Sequence, residues 1–572
     1  MPNPYSTRFW KNSWDTYVAD INPEEFETTV VEMFASTFQD FPDLIALEFF
    51  GLEITFAELD NYSNQFANML IETDFKKGDI VGINLPNIPQ YVIAAIGTLK
   101  AGCIISGVSP LLSTVQIHYQ LNDLGSEGKK IALVTLDTSY TENIVKIAEE
   151  IEQLKVIITT NVASFLSNIN EDIIKTYGET SKQKIIPIKG KLVQDFHNDI
   201  LNKRSSNPVN IEVSPDDVGW IQYTGGTTGL PKGAMLTHRG RASNILSFVQ
   251  WLQWKKGKDI ICFGFPFFHI AGLNTCEMSI YQATTQLMVL NPRDTDYIIK
   301  IIDKYHPSII SNVPSLYQIL MKNPKFKKID HSSLDICICA ASPFPKESQS
   351  ELESVIGKNK LMEVYGMTEL SPVAIMNPYH GLKKLGTIGL PIQNVELKII
   401  DPDSGFEVPI GFPGEILIAG PLVMLGYHNK PDETKNAIDK EGYMHTGDVG
   451  IMDEDGYIRI VDRTKDMINV GGFKVFSAKM EDLLSKHPAV GMIALIGIPN
   501  PDRPGSEIVK AYIQLHPDYD KSVPEDRIKA DIIEFARENS TPYEVPKIIE
   551  IVDELPLTPV GKIDKKMLRK IS

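Results

Sequence analysis

The segment Tyr223-Thr224-Gly225-Gly226-Thr227-Thr228-Gly229-Leu230-Pro231-Lys232-Gly233 concentrates residues that could do chemistry. Glycines let a backbone turn tightly, so that its N–H groups converge on an anion. The threonine hydroxyls add donors and Lys232 adds a compact positive charge. Together they could cradle a polyphosphate. The spacing fits neither G-x-x-x-x-G-K-[ST] nor G-x-G-x-x-G. A plain surface loop would need neither the repeated threonine nor a lysine set just after a proline.

Four further clusters could complete a site. Tyr365-Gly366-Met367-Thr368-Glu369 follows an apolar strand and offers an aromatic face, a hydroxyl and a carboxylate. An exposed glutamate usually means only solvation, but a carboxylate sharing a cation with phosphate oxygens is the usual Mg2+ arrangement. In Tyr443-Met444-His445-Thr446-Gly447-Asp448, the aspartate sits in a glycine-containing turn. There an aspartate caps local backbone by default, yet it is also a natural receptor for two ribose hydroxyls. Leu557-Thr558-Pro559-Val560-Gly561-Lys562-Ile563 sets Lys562 directly after a Pro- and Gly-bearing loop. Beyond it, Lys565, Lys566, Arg569 and Lys570 read as a solvated helix face. Phe265-Pro266-Phe267-Phe268-His269-Ile270-Ala271-Gly272 holds a histidine among aromatics, a setting that usually means a satisfied core residue.

The elements that must carry these clusters alternate. Asp79 to Leu85 reads as a strand, Pro89 to Ala101 as a helix ended by Gly102, and Cys103 to Val108 as a strand. Lys130 to Leu136, Tyr140 to Ile151 and Leu154 to Thr160 repeat the pattern. Such alternation implies parallel sheets covered by helices. The near-continuous apolar run Ile131 to Leu136 implies burial on both faces. Asp453-Glu454-Asp455-Gly456-Tyr457 is turn chemistry between strands. A boundary falls near Asp462-Arg463-Thr464-Lys465-Asp466, after which a compact unit mixes strands with a helix. That helix, Pro524 to Glu538, would bury Ile528, Ile532 and Phe535 on one face.

At 572 residues the chain needs two or more domains. Its 43% hydrophobic and 23% charged content are those of a soluble globular protein. No apolar run approaches the ~20 residues of a membrane helix, and Met1 to Asp15 does not read as a signal sequence. A net charge of −17 argues against broad nucleic-acid binding. The five cysteines, Cys103, Cys262, Cys276, Cys337 and Cys339, form no C-x-x-C pair and read as buried, reduced thiols. The cytoplasm is the expected location.

These motifs, in this order across most of the chain, resemble the adenylate-forming enzymes: acyl-CoA synthetases, luciferases and peptide-synthetase adenylation domains. The Thr-Gly-Gly start looks most like bacterial-type fatty acyl-CoA synthetases. The resemblance implies an α/β fold with a large N-terminal domain, 1–462, of stacked mixed and parallel sheets with helices. It also implies a small mobile α+β C-terminal domain, 463–572, that carries the catalytic lysine. Its substrates would be ATP with Mg2+, CoA and a carboxylic acid.

By this match Thr224, Gly225, Gly226, Thr227, Thr228 and Lys232 clamp pyrophosphate. Ala341, Ser342, Tyr365, Gly366, Met367 and Thr368 belong to the nucleotide site, with Tyr365 on adenine and Thr368 on phosphate. Glu369 and Thr224 hold Mg2+, and Asp448 and Arg463 contact ribose. Lys562 bridges the carboxylate and the α-phosphate; with Glu369, Thr224 and His269 it makes the catalytic set. Lys465 aligns with the hinge, and Gly471, Gly472 and Lys474 with the strand lining the pantetheine tunnel. Ser477 and Lys479 depart from the Pro and Glu common there. His269 borders the acyl site, whose pocket would include Met278, Asn312, Ala340 and Val364. Gly366 would leave room that acetate-specific relatives fill with an aromatic. Ala340 and Ala341 replace a common glycine pair, and Val364 stands where glycine is frequent, which narrows the pocket. An amino-acid-activating domain would carry an Asp soon after this point, and none occurs from Phe265 to Leu273.

The expected substrate is a medium- or long-chain fatty acid. Rivals are a synthetase for a shorter, hydroxylated or aromatic acid, or a fatty-acyl-AMP ligase that loads a carrier protein. A homodimer and transient membrane contact are left open.

Overall fold

The structure, a computed structural model, describes residues 4–571 apart from 167–184, 225–229, 557–562 and positions 343, 472, 502, 518 and 521. Contacts divide the chain into two units. The larger comprises the segment before the glycine-rich loop, Pro231–Leu397 and Ile418–Met444; the smaller is built from Lys398–Leu417 and His445–Ser572.

The expected alternation organises the larger unit. Strands Ile80–Asn84, Ile104–Gly107, Ile131–Leu136 and Leu154–Thr160 pair in parallel. The helix Pro89–Lys100 begins on a proline that presets its first turn and is buried along Pro89 to Leu99. Tyr140 to Ile151 is not one helix: Asp137–Glu142 and Ile144–Lys146 are separate short turns, because Asn143 (φ −122°, ψ −54°) leaves helical geometry between them.

These strands belong to an eight-stranded sheet in the order Gly426–Tyr427, Lys232–Thr237, Val218–Thr224, Ile104–Gly107, Ile80–Asn84, Ile131–Leu136, Leu154–Thr160, Leu192–Asp195. A nine-stranded sheet has a parallel centre of Thr285–Met288, Ile260–Phe263, Ile309–Asn312, Ile336–Ala340 and Leu361–Gly366. Open parallel sheets present ligands at the carboxyl ends of their strands. Asn312, Ala340 and Tyr365-Gly366 all stand at such ends.

In the smaller unit, the hairpin Met444–Met452/Ile458–Arg463 turns at Asp453, whose Oδ1 accepts the N–H groups of Asp455 and Tyr457. Val490–Pro499, Glu507–Leu515 and Ile548–Val552 form a separate sheet. The helix Glu525–Asn539 buries Ile528, Ile532 and Ala536, while Phe535 is half-buried against the same core. The stripe therefore runs at i, i+4, i+8 rather than ending on Phe535.

Asp462 organises the start of this region. Its buried carboxylate accepts both the backbone N–H and, at 3.1 Å, the hydroxyl of Ser477. Lys565 donates to that hydroxyl at 2.8 Å and pairs with Glu481 at 2.7 Å. Arg569 pairs with Asp466 at 2.7 Å and donates to the Lys465 carbonyl. The expected solvated face is thus half right: Lys566 and Lys570 are exposed, but Lys565 and Arg569 fasten the helix Lys565–Ile571. Burial raises the pKa of both Asp462 and Glu481, and the Lys565 ammonium opposes that rise in each. Among the described residues, no helix is long and apolar enough to cross a membrane, and all five cysteines are buried free thiols.

Ser477 opens the helix Ser477–Leu484. A proline there would gain a preset φ but lose the N–H that Asp462 uses. Asp462 would keep only the Arg463 N–H at 2.8 Å, and losing both Ser477 donors costs more than the preset φ returns, so Ser477→Pro should destabilise by about 1–3 kcal/mol. Denaturant unfolding followed by a probe in the smaller unit measures this.

Candidate active site

Thr224 and Lys232 face each other across an antiparallel pair, so the glycine-rich segment is the connection of a hairpin. Gly225, Gly226, Thr227 and Thr228 lie outside the described residues. The neck is braced from outside: Tyr119 donates to the Pro231 carbonyl at 3.0 Å, and Tyr223 donates to Asp123 at 2.6 Å. Thr224 is half-buried. Lys232 pairs with the Glu433 carboxylate, and its ammonium lies 5.0 Å from the Tyr427 ring centre.

The strand Leu361–Gly366 delivers Tyr365 and leads into a tight loop. In that loop Met367 N–H donates to the Pro372 carbonyl at 2.9 Å and Ser371 N–H to the Thr368 carbonyl at 3.2 Å. Glu369 is 5% exposed; its Oε1 accepts from the Tyr427 hydroxyl at 2.6 Å and its carbonyl from Met424 N–H at 2.8 Å. Gly366 has a structural cause that differs from the expected one. A Cβ there would collide with the Pro372 carbonyl oxygen and lie 2.8 Å from its carbon. The glycine is thus required by close backbone approach, and it does not argue for acyl room.

The loop is held from behind by the helix His238–Trp251. Arg241 donates to the Ser371 carbonyl, and Asn244 donates to the Val373 carbonyl at 2.6 Å. Arg241 also pairs with Glu277, both being almost fully buried. Trp220 donates to Glu277 at 2.9 Å, and its ring lies 5.5 Å from the Arg241 guanidinium carbon. Burial pushes the Glu277 carboxyl up, and the guanidinium opposes that rise. No motif pointed to Arg241, Glu277 or Tyr427, because each acts by contact across distant sequence.

On the expected acyl side, Ala340 and Val364 are register partners on adjacent strands, consistent with a shared wall. Asn312 is buried, with its Oδ1 accepting from Gly264 N–H at 2.8 Å. Met278 is buried on the helix Ile270–Tyr281. His269 is not a core histidine: it is exposed and caps that helix, Nδ1 accepting from Ala271 N–H at 3.2 Å. Ala341 is exposed with φ 74°, the conformation in which a glycine would be unstrained; Ser342 beside it is half-buried.

In the smaller unit, Asp448 and Arg463 are cross-strand partners, Oδ1 to Nε 3.2 Å. Gly447 (φ 70°) turns the chain before Asp448, and its N–H donates to Glu415. Lys465 is exposed, and Gly471 N–H donates to Ser506 at 2.8 Å. Lys474 pairs with Asp401 at 2.8 Å and Asp403 at 2.9 Å. Lys479 pairs with Glu544 at 2.8 Å. Gly472 and Lys562 lie outside the described residues.

The family described as AMP-binding enzyme matches residues 34–428, and the AMP-binding enzyme C-terminal domain matches 479–562. The chain is 34% identical over 567 residues to a long-chain-fatty-acid–CoA ligase of Escherichia coli, covering 98% of both chains. It is 34% identical over 533 residues to one of Bacillus subtilis, covering 92% of both. Its fold matches ATP-bound MatB from Rhodopseudomonas palustris at a TM-score of 0.79 and 25% identity, across 95% of this chain and 99% of that one.

Two variants probe the geometry. Breaking a buried pair strands a charge, so Arg241→Met or Glu277→Leu alone should each cost about 3–5 kcal/mol in urea unfolding, and the double variant less than their sum. An L-residue in the left-handed region costs ~1–2 kcal/mol. Ala341→Gly should therefore hold or slightly raise stability, whereas Ala340→Gly within its strand should lower it by about 0.5–1 kcal/mol.

Proposed function

The chain belongs to the AMP-binding enzyme family, and from that premise we propose that it is an AMP-forming acid–CoA ligase acting on a medium- or long-chain fatty acid. The observation that carries this reading is full-length similarity to long-chain-fatty-acid–CoA ligases. Supporting it, expected nucleotide-site residues stand at carboxyl ends of parallel strands.

In the first step a carboxylate oxygen bonds to the α-phosphorus of ATP while the bond to the β-phosphate bridging oxygen breaks, releasing pyrophosphate. Two anions must meet for this, so fixed cations and donors are needed at the phosphates. Lys232 and the glycine-rich hairpin are assigned to the leaving phosphates, and Lys562 to the charge shared between carboxylate and α-phosphate. A lysine suits that role as a compact charge on a flexible stem. In the second step the CoA sulfur bonds to the acyl carbon, the carbon–oxygen bond to AMP breaks, and the thiol proton is lost.

Tyr365 and Thr368 are assigned to adenine and phosphate, and Asp448 with Arg463 to ribose. Gly471, Gly472 and Lys474 are assigned to the pantetheine passage, and His269 with Met278, Asn312, Ala340 and Val364 to the acyl chain. The buried Glu369 carboxylate and the Thr224 hydroxyl, assigned to the metal, are both oxygen donors, which suits a hard divalent cation. Mg2+ held there would neutralise charge on the phosphate oxygens. We assign the functional division to 462/463, as the resemblance implies; the two family matches leave 429–478 between them. The cytoplasm, which supplies ATP and CoA and keeps thiols reduced, is the assigned compartment.

AMP and acyl-CoA formation should be measured with ATP and Mg2+ across acetate to stearate, with hydroxy and aromatic acids, with and without CoA. CoA-dependent turnover should peak on a medium or long chain. Pyrophosphate release without thioester would instead identify a carrier-protein acceptor. Lys562→Ala should lower acyl-adenylate formation by ~10²-fold or more while sparing thioester formation from supplied acyl-adenylate.

A further inference from the structure

Tyr427 lies in the two-residue edge strand Gly426–Tyr427, paired to Ala234 on the strand that begins with Lys232. Its residue is 7% exposed, and its N–H donates to the Thr434 hydroxyl at 2.9 Å. The ring faces the Lys232 ammonium at 5.0 Å, while the hydroxyl donates to Glu369 Oε1 at 2.6 Å. One rigid side chain therefore touches both a cation assigned to phosphate and a carboxylate assigned to the metal. Two neighbours reinforce it: Glu433 pairs with Lys232, and Met424 N–H holds the Glu369 backbone.

We propose that Tyr427 is a positioning residue for adenylation, seating Lys232 on its ring and fixing one oxygen of Glu369 with its hydroxyl. The inference rests on the roles given above to Lys232 and Glu369. A cation on an aromatic face keeps its charge available to a phosphate while losing lateral freedom. A phenol donating to one carboxylate oxygen restricts rotation of the carboxyl group and so fixes where the other oxygen points. Because the phenol spans both contacts, the spacing between the two charges is set by a ring rather than by two independent flexible stems.

The test uses full-length Tyr427→Phe, Tyr427→Leu and Glu369→Gln. Fatty-acid-dependent ATP–pyrophosphate exchange is titrated with Mg2+, and thioester formation is followed from supplied acyl-adenylate and CoA. Tyr427→Phe should raise the half-saturating Mg2+ concentration about ten-fold, the order expected for one hydrogen bond to a charged group. Its KM for fatty acid and its thioester step should match the wild type. Tyr427→Leu, which also loses the ring, should further raise KM for ATP. If Glu369→Gln shifts the Mg2+ dependence and Tyr427→Phe does not, the proposal is overturned and the metal reading stands. If neither shifts it, the metal reading of Glu369 fails and takes the proposal with it. A uniform fall in rate with a lowered unfolding temperature and unchanged Mg2+ dependence would assign Tyr427 to packing alone, which also overturns the proposal.

Discussion

The buried pair between Arg241 and Glu277 is the constraint around which the larger unit is arranged. Two charges removed from water cost several kcal/mol each, and the cost is recovered only where geometry and further hydrogen bonds satisfy both groups. Here the further partners are the Trp220 indole on one side and the Ser371 carbonyl on the other. One interaction thereby binds a strand of the eight-stranded sheet, two helices and the loop that follows the nine-stranded sheet's Leu361–Gly366. The loop could not shift alone without taking the Ser371 acceptor from a buried guanidinium whose Nε already has no partner among the described residues. Rigidity at Glu369 is inherited from charge buried behind it.

The chain is acidic overall, with a net charge of −17, yet its substrates, ATP, a fatty acid and CoA, are themselves anionic. Its answer is local rather than global. Lys232 is confined by an aromatic face and one carboxylate, and Arg463 by Asp448 across a hairpin. Such cations are oriented before any ligand arrives, so less reorganisation falls on the binding step.

Much of this was legible in the sequence because it depends on local pattern. The alternation of apolar strands with a helix over Pro89 to Ala101, ended by Gly102, came from local pattern. The glycine-rich run between Thr224 and Lys232 stood out by composition, but the antiparallel pairing of its flanks did not. What pattern missed depends on contact between distant residues. Asn143 breaks a segment whose composition reads as continuous helix. Gly366 is explained by the Pro372 carbonyl, which spacing alone does not reveal. Lys565 and Lys566 are neighbours of the same type, yet one is fastened to Ser477 and Glu481 and the other is exposed. Ser477 looked like a departure from a common proline, but its N–H and hydroxyl meet a buried carboxylate.

The contact between Arg569 and the Lys465-Asp466 segment has a topological consequence. The stretch that starts at Asp462 and runs to the helix Lys565–Ile571 has its two extremities in contact, as the ends of a ring would be. In a ring the order in which elements are read matters less than which elements touch. New termini opened in an exposed turn, with the old ones joined, would leave every sheet pairing and the Asp462–Ser477–Lys565 cluster in place. The covalent path through this region is therefore one of several that could describe the same set of contacts.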